Sequence, residues 1–303
     1  MASEKIPVEI DGRQLKLSNL DKVLYPDAAF TKGEVIDYYT RIAPVLLPHL
    51  AGRPMTVKRY PDGARGKFFF EKNAPSHTPE WVRRVVLPAP GSTKNRDTIS
   101  YLVVEELATL VWLANLAALE LHVPQWQVGP RGGAHEPDLL VIDLDPGEPA
   151  GLAECAHVAV LVRDALAEDG VTAYAKTSGS KGMQLMAPVS GEQPASVVSA
   201  YAKALAERLE AEHPDLVLSR MTRSLRPGKI FLDWSQNNAA KTTVAPYSLR
   251  AREHPTVSTP LTWAEVEAGG LRQVVAADVL DRVEEHGDLL GGLLDDDRPR
   301  LPT

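Results

Sequence analysis

What the chain lacks narrows the reading first. Its 303 residues hold one cysteine, Cys155, which excludes an internal disulfide and any multi-cysteine zinc site. Cys155 falls in an expected helix and reads as a small core residue. No apolar run approaches the roughly 18 residues of a membrane span. The N-terminal MASEKIPVEIDGRQ has neither the apolar core of a signal peptide nor the acid-poor character of a transit peptide. No membrane partner is expected, and a cytoplasmic, reducing setting fits. An excess of positive charge is missing too: the formal net charge is −7, a mild argument against nucleic acid as a partner. The distribution is uneven, however. Between Arg220 and Arg252 every charged residue but Asp233 is basic, while the tail carries Glu284, Glu285, Asp288 and Asp295-Asp296-Asp297. A basic stretch inside an acidic protein says more than the total.

What is present describes an ordinary globular chain, 44% hydrophobic and 24% charged, with room for one large or two ordinary domains. Its organising stretch is Leu139-Leu140-Val141-Ile142-Asp143-Leu144-Asp145-Pro146-Gly147. The short β-rich apolar run reads as a buried strand, and Pro-Gly ends it. Side chains at i and i+2 share a strand face, so Asp143 and Asp145 project together with Leu144 in the core between them. Adjacent carboxylates repel unless a cation lies between them, and a divalent metal suits the gap. A strand that merely ends in a polar Asp-Pro turn would read the same way.

Upstream, Val8-Glu9-Ile10 and Leu15-Lys16-Leu17 alternate around Asp11-Gly12, a favoured two-residue hairpin turn. Thr31 and Glu34 have capping-box spacing ahead of a helix whose broad apolar face runs from Val35 to Leu50. Lys32 lies in its first turn, where a cation opposes the helix dipole. An anion sharing the free N–H groups would resolve that misfit; a solvated lysine is the plainer reading. Residues 53–72 set six basic residues around Phe68-Phe69-Phe70. Alternation puts Phe68 and Phe70 on one face and Phe69 on the other. Exposed rings among cations suit stacking on unpaired bases, and a strand buried on both sides competes. Residues 83–97 read as an exposed loop, 105–119 as an apolar helix and 121–126 as a strand that sets His122 beside the core. Gly-rich 129–137 is the expected linker between modules 1–130 and 131–303.

The second half reads as strand 138–144, helix 151–168, strand 171–177, turn Ser178-Gly179-Ser180-Lys181-Gly182, strand 183–188, helix 195–212 and strand 229–234. This is the ferredoxin-like β-α-β-β-α-β order. It sets the last strand beside the first, bringing Asp233 near Asp143 and Asp145, and it opens the glycine turn into the same cleft. Main-chain N–H groups, the Ser178 and Ser180 hydroxyls and Lys181 could cradle phosphate oxygens, with Lys241, Arg250 and Arg252 downstream.

Taken together and in order, LSNLDKVLYP with TKGEVIDYY, AGRPMTVKRYPDG with FFFEK, ALELHVPQW, VIDLDPGE with TSGSKG, and SLRPGKIFLDWSQNNAAKTTVAPYSLRAR resemble the polymerase domain of bacterial ligase D. That family lies in the archaeo-eukaryotic primase superfamily. The resemblance covers about residues 17–265. It implies an α+β primase-polymerase fold, with an RRM-like βαββαβ catalytic module packed on an N-terminal α/β module. It also implies a template-dependent, ribonucleotide-preferring nucleotidyltransferase of non-homologous end joining, acting near the nucleoid. The expected partners are gapped or broken DNA with a 5′-phosphate, NTP or dNTP, and the Ku protein. Asp143, Asp145 and Asp233 resemble ligands of two Mn²⁺ (or Mg²⁺) ions, and His122, Ser178, Lys181, Lys241 and Arg250 the nucleotide ligands. Asn19, Lys22 and Lys32 resemble a 5′-phosphate pocket. Phe69 and Phe70 resemble the template-stacking pair, and Arg226 a residue managing the template or primer end.

Gln184 departs from the family's Ser-Gly-Ser-Lys-Gly-x-His. Gln can donate a hydrogen bond to a triphosphate oxygen but cannot carry charge or shuttle a proton. On that reading Gln184→His raises nucleotide incorporation, and an unchanged or lower rate refutes it. Tyr60 stands where a ligase's Lys-x-Asp-Gly lysine would precede Asp62-Gly63. A stand-alone polymerase module is therefore expected, with a separate DNA ligase sealing the product. The alternative is an end-bridging, gap-binding module with little catalysis.

Overall fold

The computed structural model describes residues 5–89 and 97–302. Two six-stranded sheets dominate it. One sheet has the order Val217–Leu218, Ile230–Asp233, Leu139–Pro146, Met183–Pro188, Tyr174–Thr177, Pro260–Leu261. Its middle four strands reproduce the ferredoxin-like order, with short additions at both edges. The βαββαβ reading holds, and the last strand does lie against the first, with Asp143 in register with Asp233.

Alternation along Leu139–Pro146 positions the site. Leu140, Ile142 and Leu144 share a core with the helices Leu152–Glu168 and Ala195–Glu212. Leu139 and Val141 point the other way and are covered by Leu290 and Leu293. Asp143 and Asp145 continue this second face beyond its apolar cover, where the sheet opens into a cleft. Burying the apolar set at roughly 25 cal/mol per Å² therefore fixes which face carries the carboxylates.

The other sheet runs Thr243–Val244, Ala118–Val123, Pro54–Arg59, Thr98–Val103, Arg84–Pro88, with Phe69–Glu71 also pairing with Pro54–Arg59. The helices Lys32–Leu50 and Leu107–Asn115 pack in its core. The hairpin Lys5–Ile10 and Arg13–Ser18 forms around Asp11 and Gly12, both at positive φ, as its turn type requires. Several boundaries differ from the sequence reading. Residues 84–88, within the loop read over 83–97, are a strand paired with Thr98–Val103, and 90–96 lie outside the described residues. The helix read over 105–119 ends at Asn115; Ala117 takes a φ of +57° and the strand begins at Ala118.

The chain does not divide cleanly near 130. Thr243–Val244 pairs with Ala118–Val123, and Ala245, Tyr247, Leu249, Val279 and Leu280 join the N-terminal core. Tyr38 and Tyr39 fasten this return: Tyr38 donates to the Tyr247 carbonyl at 2.8 Å, and Leu249 N–H donates to the Tyr39 hydroxyl at 3.1 Å. Both sheets thereby wall one cleft. Among the described residues no helix is long and apolar enough to cross a membrane.

Candidate functional site

The cleft, of about 290 Å³, is lined by His122, Asp143, Asp145, Ser178, Lys181, Gln184 and Arg250, among others. Its floor is the junction of Leu139–Pro146 with the strands on either side. Asp143 is in register with Gln184 on one side and with Asp233 on the other. Burial first, then the neighbouring Asp145, pushes the Asp143 carboxyl up to about 7. Asp145 is raised by burial and by Asp233, against the pull of Arg226. Such mutual repulsion is what a cation relieves.

Asp233 is held at the first turn after its strand. Its Oδ1 accepts from the Ser235 N–H at 3.1 Å and hydroxyl at 2.5 Å, and its Oδ2 from Gln236 Nε2 at 2.9 Å. Lys241 Nζ donates to the Ser235 hydroxyl and lies 3.8 Å from Asp233. Among the described residues no three acidic, His or Cys side chains converge into a closed metal cage. Asp143 and Asp145 instead line the open cleft, and Asp233 stands beside Asp143 on the neighbouring strand. That fits Mg²⁺-like ions, which take one or two carboxylates and complete their shell with substrate phosphates and water. Arg226 approaches from the other edge, its guanidinium 4.0 Å over the Phe231 ring and 3.9 Å from Asp145.

The Ser178–Gly182 turn closes onto the carboxylate strand. A Cβ at Gly182 would fall 2.0 Å from the Leu144 carbonyl, and one at Gly179 (φ +68°) 2.7 Å from the Val257 backbone; only glycine fits either place. The turn is less open than the sequence suggests. The Ser178 hydroxyl accepts from the Ser180 and Gly182 N–H groups, at 3.2 Å each, so these two are already engaged. Arg250 Nη1 donates to the Ser178 carbonyl at 2.5 Å. Lys181 reaches outward to Glu148 at 3.0 Å.

Gln184 is only 5% exposed. Its Nε2 donates to Asp143 Oδ1 at 2.9 Å, and its Oε1 accepts from Lys176 Nζ. Lys176 also donates to Ser258 Oγ at 2.7 Å and to the Val244 carbonyl at 3.2 Å. An ammonium can only donate, so it turns the Gln184 oxygen toward itself and leaves the amide N–H₂ facing Asp143. Burial drops Lys176 to about 7, partly offset by Asp143. The sequence reading missed Lys176 and Gln236. A lysine in the middle of a strand buried on both sides was the available signal for the first, and the amide run after Asp233 for the second.

On the opposite wall, His122 Nε2 meets Glu120 Oε2 at 3.0 Å, and burial lowers the imidazole's pKa against that carboxylate's pull. The three phenylalanines are 50%, 43% and 54% exposed, so the strand is not buried on both sides. Phe68 and Phe70 meet edge to face at 5.9 Å and Phe70 lies 6.3 Å from His122, whereas Phe69 lies over Arg59 at 5.1 Å. The rings that share the cleft face are Phe68 and Phe70; Phe69 and Phe70, paired by the sequence reading, project from opposite faces.

Asn19, Lys22 and Lys32 cluster at the start of the long helix. Burial, then Lys22, lowers Lys32 to about 8, and its Nζ donates to the Ser18 carbonyl at 2.5 Å. The helix N–H groups expected to share an anion are occupied. Those of Lys32 and Gly33 donate to the Lys22 and Leu20 carbonyls, and that of Glu34 to the Thr31 hydroxyl. An anion here would rest on side chains alone.

Comparison with known proteins places this geometry. The LigD primase-polymerase domain family matches residues 31–290. The multifunctional non-homologous end joining protein LigD of Mycolicibacterium smegmatis is 46% identical over 94% of the chain, and the bifunctional LigD of Bacillus subtilis 34% over 90%. The chain spans only 37% and 43% of those two proteins. The polymerase domain of Mycobacterium tuberculosis ligase D, solved in complex with DNA, superposes with a TM-score of 0.88 at 45% identity, covering 94% of this chain and 99% of that one. The chain belongs to the LigD primase-polymerase domain family of nucleotidyltransferases.

Proposed function

We propose that this chain is a template-dependent polymerase of DNA end joining, which fills gaps and extends ends with a preference for ribonucleotides. The observation that carries this is the pair Asp143 and Asp145, with Asp233 in register beside Asp143, set against a glycine turn and the basic Lys181, Arg250 and Arg252 that line the same cleft. Asp143, Asp145 and Asp233 would hold two divalent ions, Mn²⁺ or Mg²⁺, which when bound activate a primer 3′-hydroxyl and neutralise the leaving pyrophosphate.

The remaining work falls to the chain's own groups. Ser178, Lys181, Lys241 and Arg250 bind the triphosphate, with Lys181 and Lys241 free to leave their acidic neighbours for it. His122 orients the incoming nucleotide. Gln184, held by Lys176, keeps Asp143 aimed into the cleft. Phe70 offers a stacking face for the template base on the His122 side and Phe69 one on the opposite face, and Arg226 contacts the primer or template end. Asn19, Lys22 and Lys32 hold the 5′-phosphate across the gap. DNA gathered by Ku and sealed by a ligase would be the physiological setting, near the nucleoid.

Primer extension on a gapped duplex bearing a 5′-phosphate, with Mn²⁺ and either ribo- or deoxynucleotides, tests the reading. Extension directed by the template base, faster with ribonucleotides and abolished by EDTA, supports it. Tight, phosphate-dependent DNA binding without extension would make the chain an end-bridging module.

A further inference from the structure

We propose that Glu120 is a positioning residue that couples the nucleotide wall of the cleft to the aromatic template platform. This rests on the polymerase reading above and adds a device to it. Phe70, Lys58 and Glu120 are aligned in register across three neighbouring strands, and His122 follows two residues on, on the same face as Glu120. The Glu120 side chain is 2% exposed. Its Oε1 accepts from Lys58 Nζ at 3.3 Å, the Tyr60 hydroxyl at 3.1 Å and the Ala251 N–H at 3.3 Å. Its Oε2 meets His122 Nε2 at 3.0 Å and lies 3.3 Å from Arg250 Nε. Lys58 in turn sits among rings, 4.3 Å from the centroid of Phe68 and 5.4 Å from those of Tyr60 and Phe70.

The physical case is one of charge and rigidity. Burial would neutralise Glu120, but the His122 bond and the Arg250 and Lys58 charges hold it ionised, well below the usual carboxylate range. A buried carboxylate with several partners fixes all of them. Here those partners are a proposed triphosphate ligand, the histidine beside the nucleotide, and the ammonium beneath the stacking rings. Lys58 is thus a strut for the rings, because its charge is already shared between Glu120 and the aromatic faces.

Glu120→Gln separates this from a plain electrostatic role. Removing a negative charge beside a triphosphate site should tighten nucleotide binding on Coulombic grounds. Loss of positioning instead weakens it, by roughly tenfold, within the range measured for coupled networks. The readouts are equilibrium binding of a fluorescent ribonucleoside triphosphate with Mn²⁺, and of a gapped duplex with an unpaired template base. Neither needs turnover, so a chain that binds both but extends nothing would refute the polymerase reading and leave this test intact. The expected result for a folded Glu120→Gln is weaker binding of both probes, with Phe70→Ala costing less template affinity in that background than in the wild type. Unchanged or tighter triphosphate binding, or fully additive losses, overturns the proposal. Should Glu120→Gln fail to fold, Lys58→Met cuts the same row at its middle. It is expected to lower template affinity severalfold and to leave triphosphate binding within about twofold; template affinity equal to wild type overturns the coupling.

Discussion

Raising the pH in the absence of a divalent ion should destabilise the protein through its own cleft. Asp143 titrates near 7 in the fold, against 3.8 for a free carboxyl, because it is buried and stands beside Asp145. The folded state therefore keeps a proton that the unfolded chain releases between those values. Stability from this group is fully present below about pH 4 and is lost as pH rises through about 7. At ~1.4 kcal/mol per pH unit the loss amounts to about 4 kcal/mol at most, or a melting shift on the order of 5–10 °C. Lys176, lowered to about 7, acts in the opposite sense above neutrality. There the folded state has shed a proton that the unfolded lysine keeps, so stability returns. Thermal melts in EDTA from pH 4 to 9, for the wild type and Asp143→Asn, isolate the effect as their difference. Mn²⁺ competes with the proton, so its stabilisation should grow from pH 5 to pH 8. A wild-type-minus-variant difference that is flat across this range, or Mn²⁺ stabilisation equal at pH 5 and 8, would show that Asp143 holds no such proton.

Three further outcomes follow from particular side chains. Lys176→Met removes the cation that favours ionised Asp143 and orients Gln184, so the pH midpoint for Mn²⁺ binding should move upward, as calorimetric titration would show; an unmoved midpoint contradicts the assigned role. Phe70→Ala should weaken binding to an unpaired template base by ~1–3 kcal/mol, and Phe69→Ala by less, because only Phe70 of the pair faces His122. Equal losses would mean that the platform rearranges when DNA binds. Lys32, titrating near 8, is charged below that pH and neutral above it. Preference for 5′-phosphorylated over 5′-hydroxyl gaps should therefore decline between about pH 7 and pH 9 and be largely lost in Lys32→Met, as read by fluorescence anisotropy.

Much of this site was legible from residue order because its parts obey short-range rules. Period-2 alternation set Asp143 and Asp145 on one face, Asp-Gly made the first hairpin, and the βαββαβ order brought Asp233 alongside. What escaped depends on register between distant strands. Glu120 and Lys176 look like ordinary charged residues in sequence, yet only strand pairing shows that one anchors Lys58, His122 and Arg250 and that the other aims Gln184. Gln184 itself was read against a phosphate; in the fold both ends of its amide are engaged, with Asp143 and Lys176. The free N–H groups expected at Lys32 were taken up by carbonyls of the preceding turn, which local propensity does not reveal. Within 105–119 Asn115 is a weaker stop signal than a glycine or proline, and the apolar pattern runs on past it, so the switch from helix to strand at Ala117 was hidden from periodicity.

On the proposed reading, the three aspartates carry nucleotidyl transfer and are dispensable for grasping DNA. Single-turnover insertion into a one-nucleotide gap, measured beside DNA affinity for Asp143→Asn, Asp145→Asn and Asp233→Asn, tests it most directly. Each variant should lose at least about a thousandfold in insertion rate, the several kcal/mol expected of metal-assisted chemistry, while still binding the 5′-phosphorylated gap. Insertion that persists in the variants, or a wild-type protein that binds the gap and inserts nothing, would contradict it.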